Sequence, residues 1–158
     1  MRKNFGWLPI AVAVVVLGLL AVPVYAEEQA TRQECMEKCR QAADLMVNEG
    51  VDEALKIIGD KNGPFVWKDT YVFCLDLERQ CNAAHPVSPA LVGKNLMTAK
   101  DVNGKMFFAE FISVAFNKGE GWVSYMWPKP GEQTASSKVA YVLKVPNQPY
   151  AVLAGIYN

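Results

Sequence analysis

The chain has a single histidine, His85, among 158 residues and no surplus of positive charge, since 16 Lys and Arg balance 16 Asp and Glu. Each shortage removes a class of function. Without a cationic excess nothing neutralises a run of phosphates, so nucleic acid is not an expected partner. One histidine cannot build a His-rich metal site, and no Ser or Cys nucleophile stands near it in an activating arrangement. The patterns G-x-S-x-G and H-E-x-x-H and a Gly-rich phosphate loop are all missing. Neither catalysis nor a cofactor is expected. There is no internal repeat, and beyond residue 22 no long apolar run. What is present is a globular composition: 51% hydrophobic residues, seven Phe, six Tyr and four Trp against only 20% charged residues. The length suits one domain that buries roughly two-thirds of its unfolded surface.

The N-terminus reads as a targeting segment. Arg2 and Lys3 precede an uncharged apolar stretch over residues 7–22, and Val24 and Ala26 place small residues at the −3 and −1 positions before Glu27. The expectation is a signal peptide over residues 1–26 and a periplasmic or secreted mature chain. The alternative is an inner-membrane anchor at residues 7–22, somewhat short of the ~20 residues that a spanning helix uses.

Export makes disulfides the default state of Cys35, Cys39, Cys74 and Cys81. Neither C-x3-C nor C-x6-C fits the usual zinc spacings, and Arg40 follows Cys39 where haem attachment needs histidine. No metal is expected. Four cysteines allow three connectivities.

Thr31 followed three residues later by Glu34 is a capping box, and Met36, Cys39, Ala43 and Met46 then recur at helical spacing up to Gly50. A second short helix is expected from Asp52 to Gly59. Residues 71–75 and 80–84 read as a hairpin with its turn at 76–79. Centring that turn on Leu77 and Glu78 sets Cys74 opposite Cys81, with Cβ atoms about 4.5–5.5 Å apart. This pair is the favoured disulfide, and its rival joins the helix cysteines to the hairpin. Residues 85–97 hold two prolines and a glycine and form a long irregular connection, a type more often functional than idle. Phe107, Phe108, Phe111, Ile112 and Ala115 mark an amphipathic helix. Strands over residues 122–127, 138–145 and 150–157 complete an α+β fold, a five-stranded antiparallel sheet with flanking helices.

Six segments fall in order at a familiar spacing: His85-Pro86, Leu91-Val92-Gly93-Lys94-Asn95, Asp101-Val102-Asn103-Gly104-Lys105, Gly121-Trp122-Val123-Ser124-Tyr125-Met126-Trp127-Pro128, residues 138–146 and Gly155-Ile156-Tyr157. Together they resemble the single Cache domains of type 2, extracytoplasmic sensor modules with a PAS-like fold. The resemblance implies a long N-terminal helix over residues 27–50, a Cache domain over residues 51–158 and a pocket for a small organic acid. The chain departs from the family pattern in its four cysteines and in Arg79 at a turn position where glycine is common. With Asn158 as its last residue, it is expected to act with a separate membrane-bound sensor or transporter. Pairing through the N-terminal helix would give a homodimer. The alternative to ligand sensing is a non-catalytic assembly protein that uses the PAS-like surface to bind other proteins.

Alternation along residues 122–127 puts Val123, Tyr125 and Trp127 on one face. The resemblance turns Tyr125 and Trp127 toward the ligand, where a hydroxyl and an indole N–H on flat apolar bodies suit a short acid. His85, held extended by Pro86, is a candidate donor to its carboxylate. Lys138 is the candidate positive charge, and Tyr141, on the opposite face of the same strand, is a further candidate.

Overall fold

The computed structural model describes residues 28–158, so both the expected signal peptide and the alternative anchor lie outside the described residues. Helix α1 (Arg32–Asn48) starts at the predicted capping box: the Glu34 N–H donates to Thr31 Oγ1 at 3.2 Å, and the Thr31 N–H donates back to Glu34 Oε2 at 2.8 Å. Cys35, Cys39, Ala42, Ala43 and Met46 form its buried stripe. Gly50, at φ 89°, turns the chain into α2 (Val51–Gly59), which buries Ala54 and Ile58.

The remaining elements are β1 (Val66–Trp67), β2 (Thr70–Asp76), β3 (Cys81–Ala84), a 3₁₀ turn (Pro89–Leu91), α3 (Phe107–Asn117), β4 (Glu120–Pro128), β5 (Ala135–Lys144) and β6 (Tyr150–Tyr157). The strands make one antiparallel sheet in the order β1-β2-β6-β5-β4, with β3 also paired to β2. Six strands form where five were expected. The addition is the two-residue β1, which is too short to show alternation in the sequence.

Each face of the sheet has its own core. On one lie α1 and α2, covering Val72, Cys74, Tyr141, Val152 and Ala154. On the other lies α3, covering Tyr71, Phe73, Leu75, Val123, Tyr125, Ala140, Val142 and Leu153. Each large side chain so buried contributes about 1.5–3 kcal/mol, and together they offset the entropy of ordering the chain. The irregular stretch between β3 and α3 crosses the α3 face and is fastened to the outer edge of β4. Asp101 Oδ2 accepts the Met126 N–H at 2.9 Å, and Lys105 Nζ donates to the Ser124 carbonyl. These contacts occupy part of an edge that would otherwise offer open backbone groups.

The hairpin register differs from the expected one. Asp76 pairs with Cys81, Leu75 with Asn82 and Cys74 with Ala84, with an irregularity between Cys74 and Leu75. The loop therefore has four residues rather than two. Asp76 Oδ1 holds it by accepting the Glu78 and Arg79 N–H groups, and Gln80 takes the left-handed conformation at φ 53°. Cys74 and Cys81 do not face each other across the ladder. All four cysteines are buried free thiols, so the expected disulfides, Cys74–Cys81 and the helix-to-hairpin rival alike, are not formed.

Candidate functional site

Alternation turns Tyr125 and Trp127 of β4 and Phe73 of β2 to the α3 face of the sheet. Phe107, Phe108 and Phe111 of α3 descend on them. The Tyr125 ring stacks on Phe107 at 5.1 Å and meets Phe111 edge-on at 5.1 Å. Asn82 and His85 enter from the β3 side, and Leu91 and Leu96 of the crossing segment close the top. These residues line a cavity of about 20 Å³. That volume holds roughly one water molecule, less than a ligand of several heavy atoms occupies.

His85 is buried, with its ring between Tyr71 at 4.9 Å and Phe73 at 5.4 Å. Its Nδ1 accepts the Ser88 N–H at 2.9 Å, which leaves Nε2 as the protonated nitrogen and hence a donor. Burial, reinforced by the positive charge of Lys138, pushes its pKa down to about 3. At neutral pH His85 donates a hydrogen bond and carries no charge.

Lys138 faces the same way as Tyr125, its partner across the ladder, and its side chain is wholly buried. Room for it comes from Gly155, where a Cβ would stand 3.0 Å from the lysine Cε. The ammonium lies 4.2 Å from the Tyr71 ring centroid and 4.5 Å from that of Tyr157, and it donates to Tyr157 Oη at 3.1 Å. Tyr157 in turn donates to the Pro128 carbonyl at 2.8 Å. Among the described residues no carboxylate pairs with this amine. Burial draws its pKa down to about 7, with Cys35 and Asp69 acting the other way. Tyr71, which touches both Lys138 and His85, joins the amine to the cavity wall.

Of the five residues expected at the site, His85, Tyr125 and Trp127 line the cavity and Lys138 lies behind Tyr71. Tyr141 does not join them. It lies on the α1 face, 5.3 Å from Trp122, with its hydroxyl donating to Glu120. Ala140 and Val142 take the cavity face on either side of it, and a one-residue offset along a strand reverses the direction of a side chain. Tyr71, Asn82, Phe107, Phe111 and Tyr157 were not among the expected site residues. The alternation of Tyr71, Phe73 and Leu75 in β2 was the available signal for the first; Asn82 and Tyr157 carry none. Among the described residues no cluster of His, Cys, Asp and Glu is arranged to hold a metal.

A fold with α1 and α2 on one side of an antiparallel sheet, and a small aromatic cavity on the other, defines a PAS-like sensor class of domain. The sequence profile of the family Single Cache domain 2 matches residues 23–158, α1 included, and the chain belongs to that family. It is 30% identical over 73 residues to the methyl-accepting chemotaxis protein McpP of Pseudomonas putida, a stretch that is 46% of this chain and 13% of that receptor. The chain thus matches a small part of the receptor's length. Among solved structures it is similar to a periplasmic sensor domain of a chemotaxis protein (TM-score 0.63, 27% identity, 79% of this chain and 88% of that one). A Cache chemosensory domain described for carboxylic acid recognition matches with TM-score 0.65 and 27% identity, over 79% of this chain and 91% of that one. A methyl-accepting chemotaxis protein from Vibrio parahaemolyticus matches with TM-score 0.66 and 25% identity, over 79% and 86%.

Proposed function

We propose that this chain is an extracytoplasmic sensing module that captures a short organic carboxylate in the α3-face cavity and passes that state to a signalling or transport partner. One observation carries the reading: a wholly buried lysine that has no carboxylate partner among the described residues, near a cavity whose wall offers neutral donors. Burying an amine alone is costly, and an anion in the cavity supplies the missing charge. A two- to four-carbon acid has too little apolar surface to bind by burial at ~25 cal/mol per Å², so its affinity must rest on charge-assisted hydrogen bonds. In this reading Tyr125, Trp127 and His85 Nε2 donate, and Lys138 provides the charge. The carboxylic acid recognition described for one structural neighbour supports the ligand class, and the chemotaxis receptors among the relatives support the kind of partner. Among the described residues no helix is long and apolar enough to cross a membrane.

Pairing of two copies through α1 is a separate proposal. The outward face of the helix, with Glu37, Arg40, Gln41 and Asp44 exposed, would bring polar and charged groups together rather than an apolar seam.

Calorimetric titration of acetate and propionate against acetamide and propionamide tests the reading. The acids are expected to bind and the uncharged amides to bind at least tenfold more weakly. Tyr125→Phe removes one donor to an anion, worth about 1.5–3 kcal/mol, or roughly a tenfold to hundredfold loss of affinity. Lys138→Met, which removes the charge behind Tyr71, is expected to weaken the acids and leave the amides unaffected. Amides that bind as well as the acids, or short acids that fail to bind at millimolar concentration, would overturn it.

A further inference from the structure

Resting on the carboxylate reading, we infer that ligand capture is coupled to proton uptake at Lys138, so that the module responds jointly to the anion and to the acidity around it. The geometry is that of an amine sealed inside the fold with one hydrogen-bond acceptor for its three donors. Tyr157 Oη accepts at 3.1 Å, and two aromatic faces cover much of the remainder.

The groups facing this amine from each surrounding element give it little counter-charge. From β4 comes Tyr125, from β2 Tyr71 and from β6 Tyr157. Burial raises all three phenols, so each is neutral around pH 7. His85, beyond β3, is neutral as well. From α1 comes Cys35, whose thiol burial pushes up to about 12. Among the described residues Asp69, before β2, is the carboxylate acting on the amine, and it already accepts the Ala30 N–H at 2.8 Å. Lys129, in the β4–β5 connection, places a second positive charge 5.9 Å from the Tyr157 ring centroid. Burial therefore dominates, and without an anion the amine sits near half-protonation at neutral pH.

A carboxylate entering the cavity reverses that balance, because an opposite charge held across the Tyr71 ring, in the dry interior, favours the ammonium. The proton passes from solvent buffer to Lys138 Nζ, and the charge that enters with the anion is cancelled in the site. In the free protein protonation is incomplete above pH ~7, whereas in the complex it is nearly full. The apparent dissociation constant should then rise about tenfold per pH unit above ~7, approaching a hundredfold between about pH 6 and pH 9.

Propionate titrated into the wild-type protein at about pH 8, once in phosphate and once in Tris, is the test. Uptake of close to one proton makes the two observed enthalpies differ by nearly the full difference in buffer ionisation enthalpy. In the unliganded protein the Lys138 ¹³Cε shift should titrate with a midpoint near 7, and propionate should move that midpoint above about 9. Equal enthalpies in the two buffers with a pH-independent affinity, or a midpoint above about 9 without propionate, would overturn the coupling and leave the carboxylate reading standing. If propionate and acetate bind at no pH, the carboxylate reading fails and the coupling fails with it.

Discussion

His85→Asn separates the acid sensitivity of the fold from its packing. Asparagine Oδ1 can take the place of Nδ1 and keep the Ser88 N–H satisfied, while the titrating ring is removed. In the native protein the imidazole is held neutral, its pKa displaced from 6.5 to about 3 by burial and by the charge on Lys138. Because the folded value lies below the unfolded one, the unfolded chain holds the extra proton between about pH 6.5 and pH 3, and stability falls as pH falls through that window. Relative to pH 7, this one group should remove about 2 kcal/mol at pH 5 and about 3 kcal/mol at pH 4. Asparagine leaves a smaller side chain among Tyr71 and Phe73, so the variant starts less stable at pH 7; the test is the change with pH, not the starting level.

Urea unfolding of both proteins at pH 7 and pH 5 provides the four free energies. The carboxylates of Glu34 and Asp101, held below their ordinary values by a lysine hydrogen bond and a backbone hydrogen bond respectively, also lose stabilisation in acid. They do so equally in the two proteins and cancel in the double difference. With a denaturant slope of about 1.5 kcal/mol/M, the wild-type midpoint should move by roughly 1 M more than that of the variant. Equal shifts would mean that the His85 ring protonates inside the fold at little cost, and the account of the cavity as a dry site for a neutral donor would fail.

Other outcomes follow from local geometry. Gly155→Ala should destabilise by about 3 kcal/mol or more, because its Cβ would lie 2.6 Å from the Val139 carbonyl oxygen and 2.8 Å from the Ala140 Cα, backbone that cannot swing aside; a melting temperature within a degree of wild type would refute this. Thr31→Ala opens the capping box and should cost about 1 kcal/mol, read by chemical denaturation with Thr31→Ser as the retaining control. A thiol reagent should find no reactive cysteine in native protein and all four after denaturation without reductant; fewer than four would mean that a disulfide exists. Asp101→Ala should speed amide exchange at Met126, whose N–H it leaves without its acceptor, and a rate equal to wild type would show that the crossing segment is held some other way.

The sequence was most legible where a local rule acts alone. Thr31 and Glu34 announce the start of α1 because the cap is a contact three residues long. Tyr125 and Trp127 share a face because strand alternation has a period of two, and the same rule placed Lys138 opposite Tyr141. Applied with equal weight, that rule would have kept Tyr141 out of the site. The hairpin failed for a different reason. Its register depends on loop length, and Asp76 was counted inside the turn when its side chain closes a four-residue loop from the strand end. Two further loop residues on the β3 side, Arg79 and Gln80, were enough to move Cys81 from opposite Cys74 to opposite Asp76.

Depth is what periodicity cannot supply. A lysine on a strand is exposed far more often than it is buried, and alternation assigns Lys138 a face without saying whether that face is wet. The burial is decided by Gly155, from another strand seventeen positions later, whose missing side chain leaves the channel that the lysine stem fills. Tyr157, two residues beyond Gly155, then caps the amine. A glycine and a tyrosine two apart in β6 stand on the same face as a lysine in β5, in ladder positions fixed by Ala140↔Gly155 and Lys138↔Tyr157. That constellation becomes visible only when the β5–β6 register is known. The register also explains why charge and cavity occur together: the strand pair that seats Lys138 lies beside the strand that carries Tyr125 and Trp127. A change at Gly155 should therefore disturb the buried amine before it disturbs the aromatic wall.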